Sequence, residues 1–200
     1  DAAELWKTAA DLVAHPEERR ACLREAVTCL ALSGAGPEAR SLIERLLPET
    51  TDDIERAGLL RDLTSVSLWT RSVAPDDADA IEAFAAELVQ ADDDQVRHAA
   101  IDLLATLATA GLGSGEFRRA RHVCVALLTH AGDRLTLEQR LLCDVTAVMV
   151  GERGGGSGLR SDWTGDYPWH RVLDPATPTG FITVVLGWLG EYDILDDVMA

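Results

Sequence analysis

Four arginines, Arg20, Arg56, Arg97 and Arg140, each open an apolar helical run, at intervals of 36, 41 and 43 residues. Between them Ala39, Ala80 and Ala120 head a second set of runs, at intervals of 41 and 40. Self-similarity at a fixed period of about 40 residues is the signature of a stacked helical array, in which each unit buries its apolar face against its neighbours. The spacing therefore predicts an all-α fold, a superhelical array of two-helix repeats. In the first helices, positions three, seven and ten after each arginine share one face. These are Leu23, Leu59, Ala100 and Cys143, then Val27, Leu63, Leu104 and Ala147, then Leu30, Val66, Leu107 and Val150. The second helices align Ile43, Phe84 and Cys124, then Leu47, Leu88 and Leu128. In that alignment Leu46 and Leu127 meet Glu87, which predicts a solvated position in the middle unit.

The hairpins inside the units are expected at Ser33-Gly34-Ala35-Gly36 and Ala110-Gly111-Leu112-Gly113, because glycine enters the left-handed conformation that ends a helix. The pattern breaks after Gly151. A glycine-rich stretch, 151–158, gives way to a segment holding Pro168, Pro175 and Pro178 before the apolar run Phe181 to Leu189 resumes. The expected organisation is one helical-repeat domain over 1–200 with an irregular segment at 152–179. The chain begins at Asp1 and stops inside a second helix at Ala200, so it is expected to be a piece of a larger protein.

Composition narrows the function. The net charge is −16 and Lys and Arg are not gathered into a sizeable cluster, so nucleic-acid contact by this segment is not expected. The nearest cationic cluster, Arg118, Arg119 and Arg121, reads as a solvated helix face. No apolar run reaches the roughly 18 residues of a membrane span. The acidic runs Thr51-Asp52-Asp53, Pro75-Asp76-Asp77 and Asp92-Asp93-Asp94 precede helices, where carboxylates cap exposed N–H groups; capping fits them better than metal binding. Asp92 with Gln95 and Thr136 with Gln139 have capping-box spacing. The cysteines Cys22, Cys29, Cys124 and Cys143 lie in apolar runs without CxxC spacing and read as buried free thiols in a reducing cytoplasm.

No phosphate-binding loop, GxSxG elbow or HExxH helix occurs, and His122 with His130 lack a third ligand at a useful spacing. The expectation is a non-enzyme with no metal site and no cofactor in this segment. One constellation suggests a ligand: Trp163, Tyr167, Trp169 and His170 crowd together in the irregular segment, with Asp162, Asp166 and Arg171. Aromatic faces beside polar groups suit a sugar or other flat ligand; the same rings could instead anchor the segment onto the array.

The run Ala3-Glu4-Leu5-Trp6, then Arg19-Arg20-Ala21, then Ser33-Gly34 with Glu38-Ala39-Arg40 and Leu46-Leu47, resembles the tetratricopeptide-like region of large ATP-binding LuxR-type (MalT-like) transcription regulators. The closing run Gly187-Trp188-Leu189-Gly190-Glu191-Tyr192-Asp193 is similar to the same region. The resemblance implies a right-handed superhelix that senses a small-molecule inducer or a partner protein. ATP would bind an upstream module and DNA a terminal helix-turn-helix, with self-association possible in the full-length protein. A scaffold for protein–protein contacts, unconnected with transcription, is the alternative reading.

Overall fold

The asparagine-free, alanine-rich composition gives the chain few strand signals, and a computed structural model, which describes residues 1–70 and 75–151, is helical throughout that range with no strand among the described residues. The helices are α1 (Ala2–Leu12), α2 (Pro16–Leu32), α3 (Gly36–Leu46), α4 (Asp53–Thr70), α5 (Pro75–Leu88), α6 (Asp94–Ser114), α7 (Phe117–Ala131) and α8 (Leu137–Met149). Short 3₁₀ turns at Leu47–Glu49 and Gly132–Arg134 follow α3 and α7. None of the described helices is long and apolar enough to cross a membrane.

The described residues divide into two units, with the division after Leu103, inside α6. In the first, α2 packs on both α1 and α3, α3 on α4, α4 on α5, and α2 also touches α4. In the second, α7 packs on α8. The face expected from the arginine spacing is the buried one. Leu59, Ala100, Cys143, Val27, Leu63, Leu104, Ala147, Leu30, Val66 and Leu107 are all buried, and Leu23 and Val150 are half-buried at the two ends of the series.

Four buried hydroxyls cost little, because each turns onto the carbonyl four residues back along the chain. Thr50 donates to the Leu46 carbonyl at 3.0 Å, Thr64 to Leu60 at 2.8 Å, Ser67 to Leu63 at 2.8 Å and Thr109 to Ala105 at 2.9 Å. A buried polar group satisfied in this way escapes the penalty of lost hydration.

The arginine column has a structural cause. The Arg56, Arg97 and Arg140 N–H groups bond the N-cap carbonyls of Asp52, Asp93 and Thr136, closing the first turns of α4, α6 and α8. Their guanidinium groups reach backwards. Arg97 donates to the Ala91 carbonyl, Arg140 to Asp133 at 3.2 Å, and Arg56 comes within 3.5 Å of Leu47. Each thus serves a carbonyl in the connection behind it, where helix ends leave acceptors unpaired. In α2 that turn is closed by Arg19 on His15, and Arg20 lies 3.7 Å from Glu55 of α4 instead.

Three expectations require correction. Ala80 is exposed; the buried face of α5 carries Ala78, Ile81, Ala85, Leu88 and Val89. The buried Ala78, Ile81, Ala85 and Leu88 repeat the spacing of Gly36, Ala39, Ile43 and Leu46, so the register of α5 is one residue from the expected one, Leu88 takes the place of Leu46, and Glu87 is exposed as expected. The second hairpin is not at Ala110 to Gly113, which is helical, but at Gly115, whose φ is +81°. Finally, α6 is capped by Asp93, whose Oδ1 accepts the Gln95 N–H at 2.7 Å, and not by Asp92. The Thr136–Gln139 box forms in both directions: the Gln139 N–H donates to the Thr136 hydroxyl at 3.3 Å and the Thr136 N–H to the Gln139 Oε1 at 2.9 Å.

The α2–α3 and α6–α7 hairpins superpose at a shift of 81 residues. Ala35 N–H bonds the Leu30 carbonyl at 2.9 Å and Gly34 N–H that of Ala31 at 3.2 Å; Glu116 bonds Gly111 at 2.7 Å and Gly115 bonds Leu112 at 3.1 Å. Both are Schellman closures around a left-handed glycine, Gly34 having φ +80°. The same shift carries the buried residues Ala39, Leu42, Ile43 and Leu46 of α3 onto Ala120, Val123, Cys124 and Leu127 of α7.

Candidate interaction face

Because α3 and α7 share one register, their outer faces can be compared residue by residue. On α3 that face carries Pro37, Arg40, Ser41, Glu44, Leu47 and Pro48; on α7 the same places hold Arg118, Arg121, His122, Val125, Leu128 and Thr129. In α3 the positive charge is matched. Arg40 Nε donates to Glu44 Oε1 at 2.8 Å, one turn along the helix, and Arg40 Nη2 to Asp77 Oδ2 at 3.2 Å. The carboxylate of Glu44, and then those neighbours together, hold the Arg40 guanidinium above its ordinary range against the opposing effect of partial burial.

In α7 the place of Glu44 belongs to Val125, 45% exposed, and the next turn offers Leu128, 43% exposed. From Phe117 to Ala131 the helix has three arginines and two histidines and no carboxylate. Its first turn has no acid, whereas α1, α2, α3, α4 and α6 all begin with one or two. Positive charge in a first turn meets the positive end of the helix dipole, an arrangement that costs about 0.3–1 kcal/mol per exposed group. The outer stripe, about 120° wide by its i, i+3, i+4 spacing, stands opposite the buried Ala120, Val123, Cys124, Leu127 and Ala131.

The sequence aligns Leu128 with Leu47 and Leu88, and the structure gives the three positions different surroundings. Leu88 is buried, Leu47 half-buried and Leu128 exposed. Of the arginine cluster expected on a solvated face, Arg118 is exposed while Arg119 and Arg121 are half-buried; the sequence also missed the pair of exposed aliphatic side chains, Val125 and Leu128, on the outer stripe. Only the missing acid four residues after Arg121 could have signalled them.

The remaining clusters are structural. Cys124 and Cys143 are buried, and the Cys143 thiol lies 3.7 Å from the Cys124 carbonyl between α7 and α8. Its hydrogen bonding with Cys124, then burial, push the Cys143 thiol well above the usual range, which makes it a poor nucleophile. Cys22 and Cys29, expected in the core, are half-buried on α2. Asp62 on α4 is half-buried; desolvation raises its carboxyl above the usual range, partly offset by Arg61 at 3.4 Å and by Arg24. No group of three or more metal-binding side chains occurs among the described residues. The sequence-assigned ligand residues Trp163, Tyr167, Trp169 and His170 lie outside the described residues, as does the irregular segment at 152–179.

Comparison with family models, curated proteins and solved structures returns no match to this chain.

Proposed function

We infer that this chain is an interaction and effector-sensing segment of a multidomain transcription regulator, built as a right-handed superhelical array of two-helix repeats and without catalysis of its own. The observation that carries the interaction part is the outer face of α7, where the aliphatic side chains of Val125 and Leu128 are exposed on the same stripe as the exposed Arg118. Exposed aliphatic side chains grouped with fixed charge are what a partner surface needs and what a fold alone avoids. The Schellman hairpins repeated 81 residues apart, twice the period of about 40, support the array.

In this reading ATP and DNA are bound by other modules of a cytoplasmic protein, which self-associates at full length. A small inducer stacks on Trp163, Tyr167, Trp169 and His170. Saturable quenching of tryptophan emission by one metabolite, lost in Trp163→Ala and Trp169→Ala, is the expected sign of that site; a signal indifferent to both substitutions contradicts its placement. The α7 face equally favours a second reading, a scaffold for protein contacts with no tie to transcription, since a protein partner alone would account for it. Sequencing the coding DNA on both sides of this segment separates the two. A GxxxxGK[ST] motif upstream and a helix-turn-helix downstream are expected of the regulator, and an open reading frame with neither would contradict it.

A further inference from the structure

We propose that helix α1 is a self-association seam, on which a second copy of this chain lays its own α1 in antiparallel register. The seam is independent of the α7 face. The regulator reading assigns self-association to the full-length protein, whereas α1 places a contact within this segment itself.

Spacing defines the seam. Ala2, Leu5, Ala9 and Leu12 follow one another at intervals of three, four and three, the heptad pattern that keeps one stripe of a helix turned towards another helix. This is not the stripe that holds α1 in place. α1 packs on α2, and its buried residues, Ala3 and Ala10, lie about a third of a turn round the helix from the seam. Within the seam Leu5 is 72% exposed, Leu12 82% exposed, Ala2 exposed and Ala9 half-buried. Trp6, between the seam and the buried side, is 40% exposed. A single leucine in solvent is ordinary, but a heptad row beside a tryptophan is a continuous apolar arc wider than α2 covers.

Self-complementarity selects the occupant. Small and large side chains alternate along the seam. Turned end for end about a twofold axis, Ala2 faces the partner's Leu12 and Leu5 faces the partner's Ala9, so each large side chain meets a small one. Parallel pairing would set leucine on leucine and leave alanine on alanine. Charge agrees with the choice. A net charge of −16 opposes association between copies, yet the four seam residues are uncharged. Glu4, Lys7 and Asp11 stand on the opposite face, where Lys7 Nζ donates to Glu4 Oε1 at 2.8 Å. A lipid surface fits less well, because helices that lie in a membrane interface carry a basic polar face, and that of α1 has two acids against one paired lysine. Two helices of eleven residues bury less than the roughly 1,200 Å² of a stable interface, so the dimer is weak and concentration-dependent.

The test is sedimentation equilibrium of the 200-residue chain between about 10 µM and 1 mM, the range of weak association, in about 0.15 M salt to screen the net charge. A reversible monomer–dimer equilibrium is expected. Leu5→Asp and Leu12→Asp are each expected to weaken it at least tenfold. Both positions are exposed, and unchanged circular dichroism and melting temperature establish that the variants fold. Leu12→Lys is also expected to weaken association, and Ala2→Glu added to it to recover about fivefold, since the antiparallel register sets the two substitutions face to face. Both charges suit the helix dipole, and the two positions are about 15 Å apart along one helix, so the recovery reads a contact between copies. A chain that stays monomeric throughout, or a dimer indifferent to Leu5→Asp and Leu12→Asp, overturns the proposal. A double variant no tighter than Leu12→Lys alone overturns the antiparallel register. Cosedimentation of a monomeric chain with phosphatidylcholine vesicles, lost in Leu12→Asp, gives the face to lipid and overturns the seam. Each of these leaves standing the regulator reading, which the flanking coding DNA tests.

Discussion

Arg97 reaches a backbone carbonyl that no helix serves, and its neighbour along the sequence repeat, Arg140, does the same at Asp133. Arg97→Met keeps the aliphatic stem but leaves the Ala91 carbonyl without this donor. It is expected to cost about 1–2 kcal/mol in urea denaturation, while Arg61→Ala, on the exposed face of α4, stays within about 0.5 kcal/mol. Equal losses at the two sites would refute the bridging role. Asp62 gives a prediction of opposite character. Burial raises its folded pKa, so its contribution is favourable when protonated and is lost as pH rises through the folded value. Asp62→Asn should therefore be more stable than the parent near neutral pH, and the gain should vanish below the ordinary aspartate range, about pH 3. A gain that persists unchanged in acid would exclude ionisation as its source. The cysteines differ by burial: a thiol reagent is expected to label Cys22 and Cys29 in the native protein, and Cys124 and Cys143 only after unfolding. Rapid native labelling of all four would contradict the packing of α7 on α8.

At the scale of elements, glycine does two different jobs within five residues. Gly115 has φ +81° and open space around it, so Gly115→Ala loses about 1 kcal/mol through backbone conformation. Gly111 is helical, and a Cβ there would stand 3.2 Å from both the Cβ and the backbone N of Ala120. Gly111→Val is expected to force α6 and α7 apart and lower stability by about 1–3 kcal/mol, exceeding any gain in helix propensity. Thermal melts of both variants measure this; a stabilising Gly111→Val would rule out the close approach. The same pair explains what could be read from the sequence. The first helices were legible because Leu59, Leu63 and Val66 can face only one way, and the arginines mark where they start. The turn was misplaced because Gly111, Gly113 and Gly115 all suit a helix end, and only packing against Ala120 keeps the first inside α6. The register of α5 was lost among Ala78, Ala80, Ala83, Ala85 and Ala86, small residues that burial and solvent accept alike. The interaction face was half legible: Arg118, Arg119 and Arg121 announced themselves, whereas Val125 and Leu128 carry the same apolar signal as core positions.

For the molecule as a whole, the proposed repeat array has each helix held by its neighbours: α2 to α5 pack in succession within the first unit, and α7 packs on α8 within the second. Leu59, fully buried in α4, offers the test. Leu59→Ala should cost about 2–5 kcal/mol, and amide hydrogen exchange reports where that cost falls. The account predicts reduced protection in α2, α3, α4 and α5 with α7 and α8 retaining theirs. An equal loss of protection in all of these helices would contradict it.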